Sequence, residues 1–108
     1  MDNCLDNYQK NNMLNKWEVR FSGDSAKGIK TLPRKIIDAF YGLVNEMKID
    51  GPYRANWKNY GKFKGCKSIY HCHLNCSRPR YVVCWEVMDK KQKIIEVYYV
   101  GTHQKAPY

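Results

Sequence analysis

Two stretches, RYVVCWEVM (residues 80–88) and KIIEVYYVG (93–101), separated by DKKQ (89–92), decide how this chain folds. Both are rich in β-branched and aromatic residues, the side chains that suit a pleated, half-buried surface. The short polar link between them suits a hairpin and is too short for a crossover, so the pair reads as two antiparallel strands. In the first, Tyr81, Val83, Trp85 and Val87 share one face and Val82, Cys84, Glu86 and Met88 the other. In the second, a strict two-residue period sets Ile95, Val97 and Tyr99 against Ile94, Glu96, Tyr98 and Val100.

Outward from the hairpin, SIYHCHL (68–74) alternates as a third strand, and in KWEVRFS (16–22) Trp17, Val19 and Phe21 alternate with Glu18 and Arg20. Gly23-Asp24-Ser25 ends that strand and caps a short helical segment through Ile29, which Gly28 weakens. A longer helix follows: Thr31 is its candidate N-cap, and Ile36, Ile37, Phe40, Leu43, Val44 and Met47 recur by threes and fours until Gly51-Pro52 stops it. ANWKNYGKFKG (55–65) reads as a loop or irregular strand. The expected fold is α+β: a small antiparallel, mixed-edge sheet of about four strands, with two helices from the N-terminal half on one face. Residues 1–15, rich in Asn and Asp and without periodicity, are expected to form a flexible tail, leaving 16–108 as a single domain.

The 108 residues carry a formal charge of +9, unevenly spread. Residues 1–54 hold 9 basic and 7 acidic side chains, whereas residues 55–108 hold 10 and 3. Such a surplus on a small surface draws in polyanions. No apolar run approaches the roughly 20 residues that span a bilayer, and the first residues lack the basic and apolar regions of a signal peptide. A cytoplasmic protein with an anionic partner and no membrane is the expectation. The five cysteines (4, 66, 72, 76 and 84), an odd number, fit reduced thiols better than a disulfide framework. Cys66, His71, Cys72, His73 and Cys76 lack the paired CxxC spacing of a zinc site, and a strand over 68–74 turns Cys72 away from both histidines; no metal or other cofactor is expected.

His71 and His73 precede the loop Asn75–Arg80, and His103 follows the last strand at Gly101-Thr102. Metal-independent RNA cleavage needs a base for the 2′-hydroxyl proton, an acid for the 5′-oxygen leaving group, and cations on the phosphate. Imidazoles suit the first two tasks, and the guanidinium forks of Arg78 and Arg80 suit the third. Trp57, Tyr60 and Phe63, interleaved with Lys58, Lys62, Lys64 and Lys67, offer base stacking and phosphate contacts, or else a basic loop whose aromatics belong to the core.

The order WEVRFS, amphipathic helix, GKFKG, IYHCHL, RYVVCWEV, IIEVYYVGTH and final aromatic resembles the RelE/ParE superfamily of bacterial toxins, across residues 16–108. GTHQKAPY is similar to the Gly-Thr-His ending of its YafQ-like branch; RelE-like and HigB-like members are the wider company. The resemblance implies a toxin silenced by a cognate antitoxin, and an endoribonuclease that cuts mRNA on the ribosome without a metal, so inhibiting translation. By position, His73 and His103 match the branch's histidines, Tyr108 its terminal aromatic, and Lys62 and Lys64 the basic residues before the histidine strand. Arg80 stands where the branch has an acid, Gly61 where it has a further histidine, and the loop after His73 is about three residues longer. Either His71 or His73 is therefore the functional imidazole, with arginine chemistry closer to that of RelE itself. The candidates are His73, His103, Arg80 and His71 for catalysis, and Lys62, Lys64, Arg78 and Tyr108 for RNA. The alternative the resemblance allows is a ParE-like, non-catalytic inhibitor of DNA gyrase, against which the histidines weigh.

Overall fold

The computed structural model describes residues 16–63, Gly65 and residues 68–108; the expected tail, residues 1–15, and Lys64 lie outside them. Five strands, β1 (Glu18–Phe21), β2 (Gly61–Lys62), β3 (Ile69–His73), β4 (Tyr81–Asp89) and β5 (Ile94–Thr102), form one sheet in the order β1-β5-β4-β3-β2. All neighbours are antiparallel except β1, which runs parallel to β5 and makes the mixed edge. The sheet has one strand more than expected, because the two-residue pairing of Gly61 and Lys62 with His71 and Tyr70 is too short to leave a periodic signal.

Helices α1 (Gly23–Lys30) and α2 (Arg34–Asp50) cover one face. Ser22 caps α1, its hydroxyl oxygen accepting the Ser25 N–H at 3.1 Å. Thr31 closes α1 and does not open α2: its hydroxyl donates to the Gly28 carbonyl at 2.8 Å, and Pro33 takes the N-cap place without a side-chain bond. Phe40, Leu43 and Met47 of α2 are fully buried against Tyr70 and Cys72 of β3, Val83 and Trp85 of β4, and Ile95, Val97 and Val100 of β5. The Trp85 indole, itself wholly buried, donates to the Pro52 carbonyl at 3.1 Å and so finds the polar partner a buried tryptophan needs.

One difference from the strict alternation shapes everything beyond it. Trp85 pairs with Val97 but Cys84 pairs with Tyr99, so β5 carries an extra residue, Tyr98. Such a bulge reverses the parity of the strand that follows. Val97 and Val100 therefore both enter the core, while Tyr99 turns to the outer face, the opposite of the even alternation expected for the last residues of β5.

The segment between α2 and β2 is irregular but tied down. A single oxygen of Glu46 accepts from Arg54 (3.1 Å), Asn56 (2.9 Å) and the Trp57 indole (2.9 Å). Burial alone would raise this carboxyl, but the three donors outweigh it and hold it below the ordinary glutamate range. Tyr60 stacks on Tyr70 and Trp85. Trp57 and Tyr60 thus pack against the core, and only Phe63 of that aromatic series reaches the outer face.

Gly28 marks a close approach of α1 to β5. A Cβ there would stand 2.3 Å from the Val100 carbonyl oxygen, whereas a Cβ on Gly42 of α2 would meet nothing within 4 Å. Replacing an interior helical glycine by alanine ordinarily gains roughly 0.5–1 kcal/mol, and Gly42→Ala is expected to show that gain as a higher urea midpoint. Gly28→Ala is expected to lower the midpoint, by about 1–3 kcal/mol of overpacking; equal stability of the two variants would mean that α1 does not lie against β5.

Candidate functional site

On the outer face, the sheet register builds two rows. Gly61, His71, Cys84 and Tyr99 make one, and His73, Val82 and Gly101 the other. β3 and β5 are not neighbours, but both flank β4, and each ends at the same edge of the sheet. Past that edge the chain is held by the backbone: the His103 N–H donates to the Arg80 carbonyl at 2.8 Å, and the Leu74 N–H to the Tyr81 carbonyl at 2.7 Å. His73 and His103 thereby come together, their rings 5.3 Å apart and edge to face.

The second ring cluster lies alongside. Tyr108 folds back over the sheet, with its ring centroid 4.9 Å from Phe63, 5.1 Å from His71 and 5.7 Å from His103. His71, Phe63 and Tyr108 form a triangle of rings, with His71 4.8 Å from Phe63, and the His71 ring reaches across the strand pair into the space over Gly61, where a Cβ would stand 3.1 Å from Nε2. The absent side chain at 61 and the ring at 71 are complementary in space. His71 Nδ1 is buried without a hydrogen-bond partner.

Gly101 has a matching reason. The Tyr99 ring lies over it, and its hydroxyl donates to the Thr102 carbonyl at 2.7 Å, just before His103. A Cβ on Gly101 would stand 2.7 Å from that hydroxyl oxygen.

The loop carrying the arginines is organised by Asn75. Its side-chain oxygen accepts the Tyr81 N–H at 2.8 Å, and its amide donates to the carbonyls of Pro79 (3.1 Å) and Ser77 (3.2 Å). Arg78, Pro79, Arg80, Thr102, His103 and Gln104 line an open cleft of about 530 Å³. A smaller cavity, of about 190 Å³, lies on the other side of Arg80, against His73. No carboxylate lines either one.

Burial lowers the His73 imidazole below the ordinary histidine range, and repulsion by His103, Arg80 and His71 adds to it. Burial, then His103, does the same to His71. Both rings are accordingly held neutral at pH 7, with a free lone pair for a proton. Burial pushes the Tyr108 hydroxyl up to about 12, so it stays protonated and can donate a hydrogen bond.

Of the residues singled out in the sequence, the structure brings His71, His73, His103, Arg80 and Tyr108 to one edge, with Arg78 at the rim of the cleft. Lys62 pairs with Tyr70, whose ring is in the core, so its exposed side chain leaves from the opposite face of the sheet. Lys64 cannot be placed, as it lies outside the described residues. Tyr99 was legible only as a strand residue, because its hydrogen bond to Thr102 depends on the bulge. Among the described residues no group of three or more His, Cys, Asp or Glu side chains is placed to hold a metal ion, and Cys72 is buried on the helix side of the sheet. No helix among them is long and apolar enough to cross a membrane.

This arrangement of sheet and helices has solved counterparts. The archaeal RelE of a RelE–RelB complex from Pyrococcus horikoshii superposes with a TM-score of 0.66 at 18% identity, over 84% of this chain and 99% of that one. This is the RelE-like toxin fold. YoeB from a Staphylococcus aureus dimer matches with a TM-score of 0.64 at 15% identity, over 82% of this chain and 98% of YoeB. The E. coli RelBE toxin–antitoxin complex matches at 0.61 and 17% identity, over 80% and 95%. No protein-family profile matches the sequence, and no curated relative is found. The RelE-like fold thus rests on shape, in agreement with the α+β order of strands and helices expected from the sequence.

Two measurements check this geometry. Tyr99→Phe should cost about 1 kcal/mol for one lost hydrogen bond, and Gly101→Ala should remove the same bond by displacing the ring. Combined, the two are expected to cost less than their sum; strict additivity in a denaturation cycle would mean that the hydroxyl does not lie over Gly101. In an NMR titration of the imidazole Cε1 protons, His71 and His73 are expected to titrate below the unperturbed value of about 6.5, and a midpoint at or above it for His73 would contradict its burial.

Proposed function

We propose that this chain is the toxin of a toxin–antitoxin pair, a cytoplasmic, metal-independent endoribonuclease that cuts mRNA on the ribosome. The observation that carries the reading is the edge-to-face pair of His73 and His103 beside Arg80, above a cleft with cationic and no anionic side chains. The RelE-like fold supports it, since the solved toxins sharing that fold include two bound in RelE–RelB and RelBE complexes.

In this reading the phosphodiester enters the cleft at Arg80 and His103, with its 2′-hydroxyl turned toward His73, which packs against His103. The neutral His73 takes the proton of the 2′-hydroxyl, whose oxygen attacks phosphorus. His103, exposed on the cleft, gives a proton to the departing 5′-oxygen, leaving a 2′,3′-cyclic phosphate and a free 5′-hydroxyl. The guanidinium of Arg80, joined by Arg78, stabilises the charge that builds on the phosphorane oxygens. Tyr108, against Phe63 and His71, offers a ring on which a base stacks. His71, packed against both of these rings and with Nδ1 buried, serves as support for Tyr108 and not as a proton carrier. The anionic partners are the ribosome and mRNA, and an antitoxin segment silences the toxin by covering this basic edge or by drawing the Tyr108 segment away from it.

His73→Ala and His103→Ala are each expected to lower mRNA cutting by at least about 100-fold. The double variant should be little worse than either, as the two act on one transition state. The acid limb of the pH profile of kcat/KM should fall below about 6.5, the direction in which burial moves the base. Primer extension on mRNA after expression without an antitoxin reads the cuts directly. Growth arrest and cutting that survive the double substitution would overturn the site, and supercoiling defects with intact mRNA would replace it with the gyrase-inhibitor reading.

A further inference from the structure

The cavity beside His73 is lined by Lys58, Asn59, His73, Asn75, Cys76 and Arg80; it shares His73 and Arg80 with the chemistry just described, but Lys58 and Asn59 have no part in it. Its position is fixed by the backbone, because the His73 N–H donates to the Lys58 carbonyl at 2.8 Å. Its donors are unspent. Neither the Lys58 ammonium nor the Arg80 guanidinium forms an ion pair with any described residue, and the Asn59 side chain has no hydrogen-bond partner among them. Asn75, by contrast, has its amide fully engaged within the loop and acts as wall. Asn59 also adopts a left-handed backbone conformation, φ 52°, which a β-branched residue would resist and which aims the turn at the cavity.

Two cationic groups and an amide facing a recess with no carboxylate call for an anion. At about 190 Å³ the recess is smaller than the roughly 300–1,000 Å³ of sites that enclose a whole small molecule. It also has no Phe, Tyr or Trp on which a base could stack. Those rings lie on the other side of His73, at Tyr108 and Phe63. A tetrahedral phosphate and the edge of a ribose fit both the charge and the size.

We propose that this cavity is a backbone subsite for single-stranded RNA: Lys58, Asn59 and Arg80 hold a phosphodiester flanking the one that is cut, on the His73 side of it. Arg80 borders both recesses and so spans two successive phosphates, fixing the register of the strand across the imidazole pair. The subsite rests on the nuclease reading for its role, but not for its existence as an RNA-backbone site.

The test uses the whole chain and a 2′-O-methyl RNA oligonucleotide, which has no 2′-hydroxyl to attack and so reports binding without chemistry. Lys58→Ala keeps the backbone bond to His73, and Asn59→Gly keeps the left-handed turn while deleting the amide. Both variants should bind the oligonucleotide about threefold to tenfold more weakly. For Lys58→Ala, the slope of log affinity against log salt should also shrink by about 0.7, the value of one phosphate contact on a single strand. Lys91→Ala, in the turn at the far end of the β4–β5 hairpin, should bind like the wild type. Unchanged affinity and salt slope for Lys58→Ala, or an equal loss for Lys91→Ala, would overturn the subsite. A wild-type protein that binds through Lys58 and Asn59 but never cuts mRNA would uphold the subsite and remove the nuclease reading instead.

Discussion

Tyr99 lies opposite Cys84 while Val97 lies opposite Trp85, and the residue left over between them, Tyr98, governs the outer face of this sheet. Without it, Val100 would point away from the helices and Tyr99 into them, and the segment that follows would leave the sheet with its faces exchanged. The bulge lets two valines enter the core while delivering the Tyr99 hydroxyl to the Thr102 carbonyl. The Cys84 thiol, hydrogen-bonded to Tyr98 and pushed up to about 12 by burial, fills the floor beneath. His103 meets His73 because the strand was turned at Tyr98, five residues earlier.

The carboxylates are kept to one end of the same strands. Glu86 and Glu96 face each other across β4 and β5 toward the hairpin end, with Arg20 beside Glu96 on β1. Glu46 is engaged by three donors next to α2, away from the histidine edge. Arg78, Arg80 and Lys58 gather at the other end without a lining carboxylate. A polyanion that reaches this end meets cations with no carboxylate among them to repel it, whereas at the hairpin end Lys90, Lys91, Lys93 and Arg20 stand among Glu86, Asp89 and Glu96.

Much of this was readable in the residues, and the limits are physical. The hairpin, the helix stripe from Ile36 to Met47 and the histidine strand announce themselves because each keeps its period over several residues. β2 does not, as two residues make no period. The parity of Tyr99 and Val100 escaped because a bulge is a property of two strands in register, and neither sequence alone records it. Spacing put His71 and His73 on one face, but only the rings around them separate their parts: His73 stands against His103, and His71 against Phe63 and Tyr108. Lys62 groups with the histidines by its likeness in position to the basic residues of RelE-like members, and position along the chain does not say which face of an edge strand a side chain leaves from.

The fit of His71 over Gly61 carries a historical consequence. Two positions that pair across β2 and β3 share one volume, so a ring can be housed by either but not by both. A lineage that moves an imidazole from one to the other must change both sites, and an intermediate with two rings is crowded while one with none leaves a gap against Phe63. Substitutions at 61 and 71 should therefore be traded together across descendants of this fold. Comparisons that score each alignment column by itself will count such an exchange as two losses, though the ring has only crossed the strand pair.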